Sequence, residues 1–362
     1  MLITRGRVLA QRFFDIAEEV NLTRAESCVR ELSRRPRFVG SAKHIELPSP
    51  PLEMALGHRN LQVTGHRLHD VVVRIYNTGA VVVTLVLDLP NPTEPEALVA
   101  LAQDLAAAED AITELARPVA AEIAAAIRPA CKISDLTSDI VEDYTVFVVQ
   151  ATEPALTNGQ TLRAHFDIPR LLAADRGALA EQERQSLLHA SYSYRPDDLV
   201  VVDWNSALVV DPVGAQEVAE LLEFTVMQML ELRTYDSIVG RSLDRVYKDL
   251  DDSGRAPWRT RNYPELSRRI MKLFVDVVEI AERVDNSVTF LGDTWLARLH
   301  GAAAIEFGIP RWQKQLRSKL EVVQQINKLL ADQIHSQKSM RIELLIAGLI
   351  IIEVALALFR AH

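Results

Sequence analysis

The sequence predicts an α+β protein: a small, mainly antiparallel sheet domain, then a long helical hairpin or coiled coil, and one C-terminal transmembrane helix. Three observations support this prediction: short β-branched runs before residue 211, long apolar stripes at helical spacing after it, and an apolar run at the C-terminus. The predicted regions are a helical segment with a linker, the α+β domain, the long-helix region and a membrane anchor, at residues 1–60, 61–211, 212–340 and 341–362.

Size and composition restrict the classes of protein to which the chain can belong. The chain has 362 residues and 40.5 kDa, which favours more than one domain. Its net charge of -9 argues against a protein that wraps nucleic acid in a positive surface. The two cysteines, Cys28 and Cys131, have no CxxC or metal-ligand spacing, so they fit a reducing compartment better than a disulfide framework.

Residues 4–35 are predicted to form an N-terminal helix. Val8, Leu9 and Phe13 follow helical spacing, and Thr23 with Glu26 forms a capping-box pattern. The next strong signal is a β-hairpin around Asn77-Thr78-Gly79. Further β-branched runs and a long Ala-rich helix complete the predicted α+β domain; the runs lie at residues 144–150, 199–203 and 207–210, and the helix at 94–127.

Three long helical patterns follow. They cover residues 213–250, the segment from Pro264 to Leu291, and the segment after Pro310, where Asn327 interrupts the apolar stripe. These stripes require a partner surface. An antiparallel hairpin within the chain is favoured, and self-association is the alternative.

The C-terminal segment is apolar on every face. At 1.5 Å per residue, residues 342–359 span about 27 Å, which is just enough for the hydrocarbon core of a bilayer. This predicts a single-pass anchor in the cell inner (cytoplasmic) membrane, in contact with membrane lipid and with the bulk of the chain on the cytoplasmic side. A buried core helix is the alternative.

Glu353 is the unusual residue of that segment. An ionisable group within a bilayer costs about 2.5–3.5 kcal/mol and usually faces a partner helix. Glu353 is therefore predicted to form a contact between helices of an oligomer, and a tolerated polar residue on a tilted helix is the alternative.

The combination of an α+β domain, a long helical hairpin and this terminal run resembles the required-for-meiotic-nuclear-division family (domain of unknown function 155). The residues that carry the resemblance are Asp203-Trp204-Asn205, Glu231-Leu232-Arg233, His335-Ser336, Arg341, Glu343 and Glu353-Val354. The resemblance implies anchored proteins that self-assemble. The mitochondrial members support organellar protein synthesis at the inner membrane, and a bacterial member is the simpler interpretation here. The resemblance thus implies a protein or ribosome partner, and nucleic acid only through a ribosome.

The first long helix carries a polar set among apolar residues: Glu223, Gln228, Glu231, Arg233, Tyr235 and Asp236. Gln228, Glu231 and Tyr235 share one face, and Arg233 could reach a carboxylate on a neighbouring strand. Buried polar groups must find partners. The favoured interpretation is a network that pins the helix to the sheet, with Asp203 or Asn205 as partners. The alternative is a pocket with a carboxylate general base.

A basic segment with an aromatic residue follows that helix. It comprises Arg255, Trp258, Arg259, Arg261, Arg268 and Arg269. Such a cluster could contact the phosphate of lipid headgroups or of RNA, and a solvated surface with local ion pairs is the alternative.

The favoured function is a non-enzymatic, membrane-tethered scaffold that self-associates and recruits a soluble partner, with the translation machinery as one such partner. A membrane-anchored enzyme with a carboxylate pocket around Glu231 is the alternative, and an ion transporter ranks last. The sequence has no nucleotide-binding, hydrolase or zincin motif, so no catalytic residue, cofactor or metal is predicted.

Overall fold

The computed structural model describes residues 1–30, 32, 37–38, 49–57, 61–132, 139–254, 267–272, 274–275 and 294–360. The chain divides into two compact units. The first comprises Met1–Thr234 and Val284–Gln313, and the second comprises Tyr235–Arg283 and Lys314–His362.

All described strands belong to the first unit. They are β1 (Leu2–Asp15), β2 (Glu19–Val20), β3 (Arg37–Phe38), β4 (Leu52–Ala55), β5 (Gln62–Val63), β6 (His66–Arg67), β7 (Asp70–Ile75), β8 (Ala80–Asp88), β9 (Cys131–Lys132), β10 (Val141–Glu153), β11 (Ser191–Tyr192), β12 (Leu199–Val202) and β13 (Ser206–Val210). Nine of them form one sheet in the order β11-β12-β13-β10-β1-β8-β7-β4-β3. The predicted hairpin is confirmed, because β7 and β8 pair antiparallel with Ile75 opposite Val81.

The predicted fold class is wrong, because the sheet is large and mixed rather than small, and no described helix could cross a membrane. Seven of the eight strand pairs in this sheet are antiparallel, and one is parallel. Strand β1 joins the two halves of the sheet by pairing with β10 on one side and β8 on the other. Strand β13 then pairs with β10 in parallel, with Phe147 opposite Leu208. The parallel pairing is possible because a long crossover, which contains three helices and strands β11 and β12, separates β10 from β13 along the chain.

Strand β1 also replaces the first part of the helix predicted over residues 4–35, of which only Leu22–Val29 is helical among the described residues. Val8, Ala10 and Phe14 belong to the core on one side of the sheet, and Gln11 and Phe13 are buried on the other. A central strand that is covered on both faces carries no strict alternation of polar and apolar residues. Its apolar positions therefore also fit helical spacing, which explains the wrong prediction.

The described helices are α1 (Leu22–Val29), α2 (Pro95–Ala107), α3 (Glu109–Ile127), α4 (Gly159–His165), α5 (Ile168–Ala173), α6 (Glu181–Leu187), α7 (Ala215–Gly254), α8 (Thr294–Glu306) and α9 (Ile309–Arg360). The stretch at 94–127, predicted as Ala-rich helix with a break near Pro118 as the alternative to a continuous one, is two helices that meet at Ala108, and Pro118 lies inside the second. A 3₁₀ turn follows at Arg128–Ala130.

Helices cover both faces of the sheet in the first unit. On one face, α2 and α3 bury Leu98, Ile112 and Ile123 in the same core as the sheet residues. The first part of α7 lies on the other face, where the Thr78 hydroxyl is 3.6 Å from the sulfur of Met227. The site described below lies between the sheet and this part of α7.

In the second unit, the later part of α7 pairs with α9. Gln315 donates a hydrogen bond to Asp236 (3.1 Å), and the Lys319 ammonium lies 2.8 Å from the same carboxylate. Asn327, which interrupts the apolar stripe, accepts a hydrogen bond from Ser267 (2.9 Å). Part of the second predicted helix, residues 276–291, lies outside the described residues.

The predicted C-terminal transmembrane helix is wrong. Across the residues that the structure describes, no helix combines the length and the apolar character needed to cross a bilayer. Residues 341–360 are instead the last part of α9, a 52-residue helix that begins at Ile309 and buries Leu316, Leu320 and Val323. The single-pass anchor and the inner-membrane location that depended on a separate span are not supported.

The buried Asp15 carboxyl at the end of β1 should make the protein less stable as the pH rises from acid to neutral. Burial raises the pKa of Asp15 to about 7. Between about pH 4 and 7 the folded chain therefore holds a proton that the unfolded chain releases, so stability falls as the pH rises through this window. We expect Asp15→Asn to raise the free energy of unfolding by about 2 kcal/mol at pH 8 and to change it little at pH 3.5. Urea titrations at both pH values measure this, and an equal effect at both would contradict it.

Candidate functional site

A polar patch lies on the sheet face beneath α7. It consists of Gln11, Glu53, Arg74 and Thr84, all of them buried. Alternation along β7 explains the position of Arg74: Val73 and Ile75 belong to the core of one face, so Arg74 points to the other. Strand register then supplies its neighbours, because Glu53 lies opposite Arg74, and Gln11 lies opposite Thr84.

Arg74 is the centre of this patch. Its side chain is only 9% exposed. Nε and Nη2 donate to Glu53 Oε2 (2.9 and 2.8 Å), Nη2 also donates to Glu220 Oε1 (3.0 Å), and Nη1 donates to Glu223 Oε2 (3.0 Å). One guanidinium therefore binds three carboxylates, one from β4 and two from α7. Charge-assisted hydrogen bonds of this kind are the strong ones in proteins.

Glu223 connects the patch to two further side chains. Its Oε2 accepts from Gln11 Nε2 (2.7 Å), and its Oε1 accepts from the Tyr76 hydroxyl (2.8 Å). We call the six residues that share these bonds the Arg74 cluster: Gln11, Glu53, Arg74, Tyr76, Glu220 and Glu223. The cluster joins strands β1, β4 and β7 to helix α7.

Burial decides the protonation of the cluster. It raises the pKa of Glu223, and although Arg74 and Tyr76 oppose this, they do not cancel it. Burial, followed by the charge of Glu223, raises the pKa of Tyr76 well above its ordinary value. Burial alone would lower the pKa of Arg74, but the carboxylates of Glu223, Glu220 and Glu53 outweigh it and raise that pKa. At neutral pH, Arg74 is thus charged and Tyr76 is a neutral donor.

A cavity of about 290 Å³ adjoins the cluster. Its walls come from four strands and from α7: Arg7, Leu9, Gln11, Glu53, Val72, Arg74, Thr84, Val86, Gln216, Ala219, Glu220 and Glu223. The volume is close to the lower limit for small-molecule sites, and five of the twelve lining residues are charged.

The structure divides the predicted polar network into separate contacts. Gln228 on α7 lies 2.9 Å from His300 Nε2, and burial lowers the pKa of that histidine. Arg233 donates to Glu142 of β10 (2.6 Å) and lies 5.7 Å from the ring centroid of Trp312. Burial raises the pKa of Glu142 to about 7 despite the opposing charge of Arg233.

Asp203 and Asn205 lie in the turn between β12 and β13. The Tyr144 hydroxyl donates to the carbonyl of Asp203 (3.2 Å), and the amide of Thr145 donates to the carbonyl of Asn205 (3.1 Å). Burial raises the pKa of Asp203 to about 6. These contacts attach the turn to β10. Glu231 is buried on α7, whereas Tyr235 belongs to the second unit.

The predicted polar set contains Glu223 but none of the other five residues of the Arg74 cluster, and the largest omission is Arg74 itself. The available signal was an arginine within a β-branched run, Val71-Val72-Val73-Arg74-Ile75. A charged residue in a strand that is otherwise buried requires a charged partner. Its partner on β4 depends on strand register, which the sequence does not provide.

Most of the predicted basic cluster lies outside the described residues: Arg255, Trp258, Arg259 and Arg261. Arg268 and Arg269 are described, and both side chains are exposed in a helical segment. Phosphate contact by this cluster stays a prediction. Within the described ranges, no group of histidine, cysteine or carboxylate side chains could hold a metal ion.

Fold and site together define an α/β protein with a large mixed sheet and a carboxylate-rich cavity beneath a long helix. The family model described as "Uncharacterized protein MJ0711, N-terminal domain" matches residues 5–216, more than half of the chain. The chain therefore belongs to the MJ0711 N-terminal-domain family. The matched residues include Gln11, Glu53 and Arg74, and they end before Glu220 and Glu223.

A similar protein is "Uncharacterized protein MJ0711" from the archaeon Methanocaldococcus jannaschii. It is 22% identical over 195 residues, which cover 53% of this chain and 58% of the relative. The match thus spans less than two thirds of the length of that protein. No solved structure matches the chain.

The resemblance to the required-for-meiotic-nuclear-division family is wrong. The matching family is a different one, and the relative is archaeal rather than bacterial or mitochondrial. The segments that carried that resemblance are short and scattered from Asp203 to Val354, and most of them lie beyond the residues that the family model matches. A general arrangement of a sheet, long helices and an apolar terminus was therefore not specific to one family.

Removal of the Arg74 charge should be costly, because it leaves three carboxylates together. We expect Arg74→Met to lower the free energy of unfolding by about 3–5 kcal/mol at pH 7.5. The loss should be smaller at pH 5 than at pH 7.5, because burial raises the pKa of Glu223 and a lower pH favours the neutral form, which does not repel the other two carboxylates. Urea denaturation followed by circular dichroism measures both values.

Arg117→Met is the matched control, because Arg117 pairs with Glu114 at an exposed position of α3. Its expected cost is about 0.5 kcal/mol or less. A loss for Arg74→Met no larger than that of the control would contradict the role of the cluster.

Proposed function

We propose that the protein is a non-enzymatic scaffold that associates with a second copy of itself through the last part of α9, so that the assembly presents two sheet units to a soluble partner. One observation carries this proposal. Eight large apolar side chains of α9 are between 52% and 69% exposed: Ile342, Leu344, Leu345, Ile346, Leu349, Ile350, Ile351 and Ile352.

So many exposed apolar side chains in one helical segment are unusual on the surface of a monomeric protein. Single exposed apolar residues are normal, but a contiguous apolar patch indicates an interaction site. Burial of a large aliphatic side chain contributes about 1.5–3 kcal/mol. Ile342, Leu345, Leu349 and Ile352 follow one another at steps of three and four, so they form one stripe along the helix. That spacing suits another helix as the partner.

A second copy of the chain is the occupant that we propose. The earlier part of α9 already packs by a helix-to-helix stripe within its own unit, where Leu316, Leu320 and Val323 are buried. A second copy offers a helix of identical length and composition, and a two-fold pair would cover both stripes at once. The exposed Glu353 follows Ile352 directly, so it would lie at the end of such an interface.

Sedimentation velocity of the full chain tests the proposal. We expect the wild-type protein to be dimeric or larger at about 10 μM, since burial of two apolar stripes suffices for micromolar affinity. Leu345→Glu and Ile352→Glu should each shift the population to monomer, because they place a charge in the buried stripe.

Val213→Glu is the matched control, because Val213 is 80% exposed in the first unit, outside the stripe. It should leave the assembly unchanged. A monomeric wild-type chain would contradict the proposal, as would the same assembly in all variants. Binding of the wild-type chain to phospholipid vesicles without self-association would also contradict it.

A further inference from the structure

The two cysteines of the chain lie on neighbouring elements of the first unit, although their positions in the sequence are far apart. Cys28 is in α1, and Cys131 is the first residue of β9. We propose that they are a reversible redox pair, which closes to a disulfide when a low-molecular-weight disulfide such as glutathione disulfide is present. Both residues lie outside α9, so the pair does not depend on the proposed self-association.

Backbone contacts attach the start of α1 to the chain beside Cys131. Val20 lies opposite Cys131 in the pairing of β2 with β9. The amide of Asn21 then donates to the carbonyl of Ala130 (3.0 Å), and the Asn21 side chain caps α1. The helix also packs against α3 and against the 3₁₀ turn at Arg128–Ala130, which directly precedes Cys131. The helix that carries Cys28 is therefore held against the segment that leads into Cys131.

Both cysteine side chains lie at the edge of the core in this region. Ala25 and Val29 are fully buried, and Cys28 shares their side of α1 because it follows Ala25 by three residues. The Cys131 thiol donates to the carbonyl of Ile127 at the end of α3 (3.3 Å). Both thiols are half-buried and pack against the same apolar core. The core therefore orders them, and an oxidant can still reach them from solvent.

The two sulfurs also influence one another electrostatically. Burial raises the pKa of Cys131, and the charge of Cys28 raises that pKa further. Coulomb interactions weaken with distance and with exposure to water, so this effect requires the two half-buried sulfurs to be neighbours. The thiolate is the nucleophile, and a raised pKa makes Cys131 the slower of the two to react. The first attack on a small disulfide is therefore assigned to Cys28.

The reaction consists of two thiol–disulfide exchanges. The Cys28 thiolate attacks one sulfur of glutathione disulfide, whose S–S bond breaks and releases one glutathione thiolate. The Cys131 thiolate then attacks the Cys28 sulfur of this mixed disulfide, forms the bond between the two cysteines and releases the second glutathione. The cysteines lose two electrons and two protons. The electrons reduce glutathione disulfide, and the protons end on the two glutathione thiols.

A disulfide at this position would reinforce a short pairing. Strands β2 and β9 pair over two residues each. The bond would also close a loop of about 100 residues, and closure of a long loop removes much entropy from the unfolded chain. We expect oxidation to raise the Tm by about 5–10 °C. Reduction with dithiothreitol should reverse this rise.

Mass spectrometry of the intact full chain under non-reducing conditions tests the proposal. The protein is incubated with glutathione disulfide, and the remaining thiols are blocked with iodoacetamide. We expect the wild type to lose two hydrogen atoms, to carry neither glutathione nor the blocking group, and to give a peptide that joins Cys28 to Cys131. Cys131→Ser should instead keep one glutathione on Cys28 and show no rise in Tm, because the thiol that would release the glutathione is missing.

Ser27→Ala is the matched control, because Ser27 is exposed beside Cys28 on α1 and the variant keeps both thiols. It should form the same bond as the wild type and show the same rise in Tm. Two glutathione molecules on the wild-type chain would overturn the proposal, because the two thiols would then not reach one another. Unreacted thiols, a disulfide between two chains, or an oxidised chain with an unchanged Tm would also overturn it.

Discussion

The ion cluster formed by Arg74, Glu53, Glu220 and Glu223 is the interaction on which the rest of the structure depends. Burial of a guanidinium on a sheet face is costly unless carboxylates surround it, and α7 supplies two of the three. The direction of α7 over the sheet is therefore restricted by charge as well as by apolar packing. A hydrocarbon surface alone would tolerate several positions of a helix, whereas these hydrogen bonds require one.

The same requirement explains why α7 carries polar residues among apolar ones. Glu223 accepts a hydrogen bond from Arg74, Gln228 forms one with His300, and Arg233 donates one to Glu142 of β10. These three residues bond to three different elements, so they attach α7 to the rest of the first unit at separate points. The boundary between the two compact units falls within this helix, after Thr234. Beyond it, α7 pairs with α9 through Asp236 and Lys319.

Local patterns predicted only part of this structure. The hairpin at Asn77-Thr78-Gly79 could be predicted from the sequence, because turn residues between two β-branched runs determine it locally. Strand β1 could not be predicted in this way, because a central strand covered on both faces lacks the alternation of polar and apolar residues that identifies strands. The partners of Arg74 could not be predicted either. Glu53, Glu220 and Glu223 lie 21, 146 and 149 residues away along the chain, and their positions depend on strand register and helix docking. The apolar end of α9 was visible, but apolar character does not distinguish a lipid environment from a second helix.

A double-mutant cycle across the sheet–helix contact tests the central claim most directly. The free energy of unfolding is measured for the wild type, Arg74→Met, Glu223→Leu and the double variant. If the cluster positions α7, each single variant leaves buried charges without their partner, and the double variant removes both members of the pair. The predicted coupling energy is about 2–3 kcal/mol, so the double variant should lose clearly less stability than the two single losses added together. Additive losses, with a coupling energy near zero, would contradict it.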